Sequence, residues 1–408
     1  MNDIVERFLR YTRIETTSSE DNENCPSTEG QFVLAEMLKN ELLEMGIENA
    51  EVADNCFVYA HLAGNITENG DAVGFLAHMD TSNAASGKNV KGRIIENYDG
   101  KDIYLGNDVY TRVSDFPTLE NYIGKDLIVS DGTTLLGGDD KAGIAIIMTL
   151  IERILAENIP HGELYICFTP DEETGSGIEH IDLNKFPVDY AYTLDGGIPE
   201  EVTYECFNAA SAIVDFNGVS IHPGSAKGKM INAVQLAMDF HALLPVNERP
   251  EYTEGTEGFN HIVHTQGTVE YCKSIYIIRN HNAELFERQK QEFINAEQFM
   301  NKKYERKVVS VKINDTYRNM IEGFKGREYI IDNAMKAIRE NGLQPVNTPI
   351  RGGTDGAKLT FMGIPTPNLG TGDMFCHGNH EIVCINEMKT MVDILVSLLR
   401  IMFPDTII

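Results

Sequence analysis

An α/β fold with a largely parallel central sheet, interrupted by a smaller inserted unit, is predicted for this chain by three features of its pattern. Ala72–Ala77, apolar on both faces, reads as a central strand, and Leu164–Phe168 and Tyr190–Leu194 read as buried strands. Helical periodicity separates them, which is the alternation of a layered α/β sheet. From 207 to 314 the order changes to β-α-β-β-α-β, the ferredoxin-like split unit, and alternation resumes after 315. At 408 residues the chain is also longer than one ordinary core supports. The expected division is therefore a discontinuous domain, 1–206 with 315–408, and an insertion, 207–314.

The elements follow in order. Ile4-Val5 with Phe8-Leu9 opens the chain as an amphipathic stretch. Thr28-Glu29-Gly30-Gln31 has capping-box spacing and announces a second helix. Val33, Leu34, Met37, Leu38, Leu42 and Met45 give that helix its 3.6-residue period, and Gly46 is its expected stop. Phe57–Ala60 reads as a strand and 84–130, rich in Gly, Asn and Asp, as an insertion of hairpins and loops. A helix is predicted over 141–157. Within 207–314 the predicted elements are strand 207–217, helix 229–244, strands 264–271 and 273–279, helix 283–302 and strand 306–313. The chain ends in an amphipathic helix carrying Met388, Met391, Val392, Ile394, Leu395, Leu398 and Leu399.

Charge and cysteine content narrow the class. Thirty-four basic against 62 acidic residues leave a net charge of −28, which argues against nucleic acid or an anionic membrane as partner. No apolar run approaches the ~20 residues of a membrane span, and no signal peptide is visible. Seven cysteines, with no Cys-x-x-Cys pair, read as reduced thiols of a cytoplasmic protein.

The chemistry centres on Leu135–Gly143, where Asp139 and Asp140 stand in a glycine-flanked turn before an apolar helix. One carboxylate suffices for a helix cap, so the second needs another explanation. His78 and Asp80 lie just past strand 72–77, Glu172 and Glu173 just past strand 164–168, and Asp195 directly after strand 190–194. Sites in open α/β sheets form outside the carboxyl ends of strands, so these groups can share one edge. His377 stands in a glycine-flanked loop near the end of the chain, and spacing alone does not bring it there. Two histidines among so many carboxylates call for a cation. Nitrogen and oxygen ligands suit Zn²⁺, with Mn²⁺ or Co²⁺ as alternatives, and there are ligands enough for a pair. Glu172 and Glu173 project differently, so one can bind metal while the other handles protons. Asp80 is placed to hold the His78 imidazole. Each also has a plainer reading: His78 as a satisfied core histidine, Glu172-Glu173 as a solvated loop, Asp195 before Gly196-Gly197 as turn chemistry. His380 and Cys376, beside His377, are not taken as ligands.

Seven stretches carry a family resemblance: Leu76–Thr81, Gly138–Gly143, Phe168–Glu173, Leu194–Gly197, His222-Pro223-Gly224, Pro349–Gly356 and His377-Gly378. In this order they resemble the tripeptide aminopeptidases of the di-zinc metallopeptidase family that also includes carboxypeptidase G and aminoacylase. The resemblance implies a di-zinc exopeptidase-like catalytic domain with the inserted unit as a lid or dimerisation domain. It implies two Zn²⁺ bridged by Asp140, with His78 and Asp195 completing one site and Glu173 and His377 the other. Glu172 would be the general base and Asp80 would orient His78. His222, Arg279 and Arg351 would contact a small peptide substrate, a guanidinium being suited to its C-terminal carboxylate. A homodimer is one assembly this arrangement allows, with His222 serving its own subunit or a partner's. Two alternatives stand beside this reading. One is a related amidohydrolase, an N-acyl-amino-acid deacylase or dipeptidase. The other is a non-catalytic metal-binding protein, which would have no use for Glu172.

Overall fold

The computed structural model describes residues 3–22, 24–67, 70–350 and 353–404. The chain divides into two compact units, one of Met1–Tyr204, Gly323–Thr348 and Thr354–Ile408, the other of Glu205–Glu322 with Pro349–Gly353.

The first unit is built on a seven-stranded sheet in the order Glu51–Val52, Val58–Leu62, Leu164–Thr169, Val73–His78, Tyr190–Gly196, Asn368–Gly370, Val202–Thr203. The apolar runs take its centre, where Val73–His78 pairs parallel with both neighbours and Tyr190–Gly196 pairs parallel with Asn368–Gly370. The edges are antiparallel. Every residue of Val73–His78 is buried, so side chains on both of its faces are covered. Helix Gly138–Glu157 packs on this sheet and against the terminal helix Ile385–Met402. The 84–130 segment holds the strand Arg93–Ile95, the hairpin Ile103–Gly106 with Val109–Thr111, and the strand Leu127–Val129. Leu127–Val129 pairs with Ile382–Cys384 from the far end of the chain. That antiparallel pairing anchors the loop that carries His377.

The second helix, Gly30–Glu44, departs from its predicted start. Glu29 at its N-cap has helical dihedrals and makes no side-chain cap, so the capping box does not form. Gln31 Nε2 donates both to Thr28 Oγ1 at 3.2 Å and to Asp171 Oδ1 at 2.7 Å. The predicted apolar face is also rotated: Val33 is 58% exposed, whereas Gln31 and Glu41 lie on the buried face. Glu41 is drawn in by charge. Its carboxylate accepts from Arg7 Nε at 2.6 Å and Tyr11 Oη at 2.8 Å, and pairs with Arg10. Gly46, at φ +94°, ends the helix where the sequence places the stop, with Ile47 N donating to Leu42 O at 3.0 Å.

The second unit is an antiparallel four-stranded sheet in the order Phe259–Gly267, Tyr271–Asn280, Asn208–Asn217, Val309–Tyr317. Helices Ala233–Leu243 and Ala283–Lys303 pack on it. Phe286, Phe293, Ala296 and Met300 form the inward stripe of the longer helix, opposite its charged face. Phe293 meets Tyr276 edge-on at 5.1 Å and Phe240 at 6.0 Å. The hairpin turn falls at 268–270, earlier than the predicted 272, because its backbone is already committed. Val269 O accepts from Ala233 N and Glu270 O from Gly218 N, at 2.9 and 2.7 Å.

The Glu41 cluster yields a pH-dependent prediction. Burial would raise the Glu41 carboxyl, but hydrogen bonds from Arg7 and Tyr11 and the charges of Arg7 and Arg10 hold it below its ordinary value. A lowered folded-state pKa stabilises above the unfolded pKa, and the contribution is lost as pH falls through the folded value. Glu41→Ala, which leaves the buried Arg7 with Glu152 and Thr149, each at 3.1 Å, as its partners, should cost about 1–3 kcal/mol in denaturant melts at neutral pH. The difference from the parent should shrink in acid.

Candidate metal centre at the strand ends

Parallel register sets the site. His78 is the last residue of its strand and lies opposite Thr169, while Leu76 lies opposite Thr193. The chain therefore leaves three neighbouring strands at one level, carrying His78 and Asp80, Glu172 and Glu173, and Asp195 to the same edge.

The Gly137–Gly143 turn meets that edge. A Cβ on Gly138 would fall 2.5 Å from Asp373 Oδ1, and one on Gly143 2.0 Å from Leu194 O, so both positions need glycine for close approach. The bond between Asp139 and Asp140 is a cis peptide. The two carboxylates go to opposite tasks. Asp140 is fully buried and spends both oxygens on backbone donors, Oδ2 on His78 N at 3.1 Å and Oδ1 on Gly143 N at 3.2 Å. It caps the helix and clips the turn to the strand end. Asp139 stands between two imidazoles, with Oδ1 2.8 Å from His78 Nε2 and Oδ2 3.1 Å from His377 Nε2. The expectation that Asp140 is the shared ligand is thus corrected to Asp139. The physical reason is that the buried N–H groups of His78 and Gly143 already claim Asp140, and sequence alone cannot say which of two adjacent acids they claim.

Around Asp139 the remaining groups form two sets. His78, Asp139 and Asp195 make one, and Asp139, Glu173 and His377 the other, each with ligand atoms within 4.8 Å of one another. Asp195 Oδ1 is 3.7 Å from His78 Nε2, and Glu173 Oε1 is 3.0 Å from His377 Nε2. That Glu173 oxygen is buried and makes no aligned hydrogen bond. An orphaned acceptor beside a histidine nitrogen is what a ligand to a shared cation presents, so the donor set fits a pair of divalent cations. Charge agrees. Burial would lower the His78 pKa, but hydrogen bonds to Asp139 and Asp80 and the charges of Asp139 and Asp195 hold it well above the imidazole range. His377 is pushed up to about 10, first by Asp139, which meets its ring at 3.1 Å, and then by the Glu173 carboxylate beside it. Positive charge is demanded at both positions.

Asp80 organises the other groups. Its Oδ1 lies 3.3 Å from His78 Nδ1, and its carboxylate accepts from Glu172 N at 3.0 Å and Glu173 N at 3.2 Å. One buried acid thus orients an imidazole and the loop that carries both glutamates. Glu172 belongs to neither ligand set. Burial pushes its carboxyl well up against the His78 charge, with Asp355, Asp139 and Asp80 adding to the rise. A raised carboxyl beside a cation site is suited to proton transfer.

Three further acids at this edge carry no signal in the sequence. Asp171, at φ +56°, accepts from Ser27 N, Ser27 Oγ and Gln31 Nε2 at 2.6–2.7 Å and so ties the glutamate loop to the second helix. Asp355 accepts from Thr169 Oγ1 at 2.7 Å. Glu381 accepts from the amides of the Asp139 turn. All three lie in or beside the motif stretches, but nothing in their spacing marks them. His380 meets Thr111 Oγ1 at 3.0 Å and Cys376 Sγ donates to Asp373 at 2.7 Å, so both are occupied outside the two sets.

In the second unit, exposed His222 accepts from Gly224 N at 3.1 Å. Arg279 donates to Ala210 O and Ile278 O at 3.2 and 3.0 Å and lies 5.4 Å from the Tyr317 ring centre. Those contacts are structural ones. Arg351 lies outside the described residues.

This edge, on this fold, defines a class. Residues 133–401 match the model of the peptidase family M20/M25/M40, and the chain belongs to that family. Proteins named Peptidase T are similar over nearly their whole length. That of Clostridium perfringens (strain 13) is 47% identical over 402 residues, covering 98% of this chain and 99% of the relative. That of Caldanaerobacter subterraneus subsp. tengcongensis is 46% identical over 404 residues, with the same coverage. Among solved structures, the aminopeptidase PepT of Bacillus cereus shares the fold with a TM-score of 0.77 at 22% identity, covering 98% of each chain. A Bacillus subtilis protein described as a dinuclear metal binding peptidase of the M20 family has a TM-score of 0.63 at 12% identity, covering 98% of this chain and 97% of its own.

The two aspartates are separable by substitution. Asp139→Ala should abolish binding of both cations, read as metal per chain after equilibrium dialysis. Asp140→Asn should retain the stoichiometry and cost about 1–3 kcal/mol of stability, since its amide opposes a backbone donor.

Proposed function

We propose that this protein is an aminopeptidase that releases the N-terminal residue of tripeptides at a two-cation centre. The observation that carries the reading is Asp139 shared between two ligand sets, with Glu172 beside them but in neither. When bound, two divalent cations supply Lewis acidity there, activating water and polarising the scissile carbonyl. Nitrogen and oxygen donors without sulfur support zinc, with Co²⁺ or Mn²⁺ as substitutes. His78, Asp139 and Asp195 would hold one, and Asp139, Glu173 and His377 the other.

The chain's own groups account for the rest. Glu172 takes the proton of the attacking water and delivers it to the leaving amine nitrogen. Asp80 keeps the His78 ring and both glutamates in place during that transfer. Arg279 and Arg351 are proposed to recognise the substrate's C-terminal carboxylate and His222 the carbonyl region, assignments supported by the motif resemblance. The tripeptide preference is supported by the Peptidase T relatives and by the fold shared with a structure described as a tripeptidase from Staphylococcus aureus, TM-score 0.75 at 19% identity. No helix among the described residues is long and apolar enough to cross a membrane, and the seven cysteines are free, as a cytoplasmic site of action requires.

Free tripeptides, dipeptides, tetrapeptides and N-acetylated tripeptides offered to zinc-reconstituted protein test the reading. Fast release of the first residue from free tripeptides alone is expected. Hydrolysis of the acetylated peptides would favour a deacylase instead, and preference for dipeptides a dipeptidase. Glu172→Gln should keep its metal and lose about 10²–10⁴-fold in kcat.

A further inference from the structure

We propose that Glu381 is a positioning residue that holds Asp139 in its shared orientation and couples it to the His377 loop. The inference rests on Asp139 as the shared ligand.

Glu381 is 2% exposed and touches neither histidine in any described hydrogen bond or ion pair. Its carboxylate is filled by one turn. Oε2 accepts from Leu136 N and Gly137 N, each at 2.7 Å, and Oε1 accepts from Asp139 N at 3.0 Å. These amides precede the regular part of the helix and have no place in a sheet ladder, so a side chain must satisfy them. A carboxylate suits three donors because the bonds are charge-assisted and both oxygens accept. The Asp139 amide is the decisive one. It adjoins the Cα that carries the shared carboxylate, so rotation there would swing Asp139 out of line with the two imidazoles.

The other end of Glu381 is fixed by different means. Its amide donates to Gly378 O at 3.3 Å, closing the turn after His377, and Ile382 begins the strand paired with Leu127–Val129. The loop before it contains Phe375 and His377 at φ +59° and +63°, conformations that side chains other than glycine rarely hold without outside restraint. Asn379 supplies one restraint through Nδ2 to Gly132 O at 3.1 Å. Glu381 supplies the one that reaches the aspartate turn. A single side chain therefore sets Asp139 against His377 in both directions.

The test uses wild type and Glu381→Gln, both stripped of metal. Glutamine keeps the shape but has one acceptor oxygen, and its NH₂ must face a backbone N–H. Hydrogen–deuterium exchange of the peptide spanning 133–141 should quicken about tenfold or more in the variant, with the central strands unchanged. Zinc titration by calorimetry should show affinity about 10–100-fold weaker, the usual cost of losing a group that orients ligands. Glu41→Gln serves as a control for general destabilisation, and should lower Tm with neither local exchange nor zinc affinity altered. Where Glu381→Gln does not fold, Glu381→Asp, which retracts the acceptors by one methylene, should change both readouts in the same direction. Wild-type exchange at 133–141 in the variant overturns the proposal, whatever happens to zinc affinity. Zinc affinity unchanged despite faster exchange also overturns it. Failure of the wild type to bind zinc would instead refute the two-cation reading, while exchange in the metal-free protein still decides whether Glu381 holds the turn.

Discussion

Asp139 lying between His78 and His377 is the contact on which the carboxyl-end edge of the sheet depends. Six acids that the sequence marks crowd that edge, Asp80, Asp139, Asp140, Glu172, Glu173 and Asp195, beside Asp171, Asp355 and Glu381. Left to themselves they would repel or take up protons. The fold sorts them by what they face. Asp80 and Asp140 are turned to backbone N–H groups and serve the architecture. Asp139, Glu173 and Asp195 are turned to imidazole nitrogens and make up, with them, the two candidate ligand sets. Glu172 is left over with a raised pKa, which is the condition of a group that moves protons.

That sorting requires rigidity, and the sources of rigidity are specific. Central strands buried on both faces hold the chain exits at one level. Glycines at 138 and 143 let the turn approach to within contact of Asp373 and Leu194. Asp171 binds the glutamate loop to the second helix, and Glu381 binds the turn to the C-terminal loop. Buried carboxylates thus stiffen the site from outside it, Glu381 through backbone amides and Asp171 mainly through the side chains of Ser27 and Gln31. An error of about 1 Å in a ligand or base can cost 10²-fold in rate, so such restraint has functional weight.

Much of this is legible in residue order alone. Two-faced apolar runs identify central strands because no other setting buries both faces, and the acids just beyond them fall at the edge where α/β sheets bind ligands. Gly46 can be read as a helix stop because only glycine takes φ +94° without strain. Other features mislead for equally physical reasons. Thr28 and Gln31 have the spacing of a capping box, yet the Gln31 oxygen that would close it accepts from Asp171 N at 3.2 Å. Val33 fits the apolar period but is 58% exposed, while Glu41 is held on the packed side by Arg7 and Tyr11.

The sequence by itself determined the class of fold, the chemistry of the donor set and its family, since all three reside in residue type and order along the chain. Only the tertiary structure decided which of two adjacent aspartates is shared. It also brought His377 to a turn 238 residues away, and set Glu381 across that turn. The reason is the same in each case. Periodicity reports burial, but the direction of a carboxylate is decided by whichever donors are nearest in space, and those donors come from distant parts of the chain.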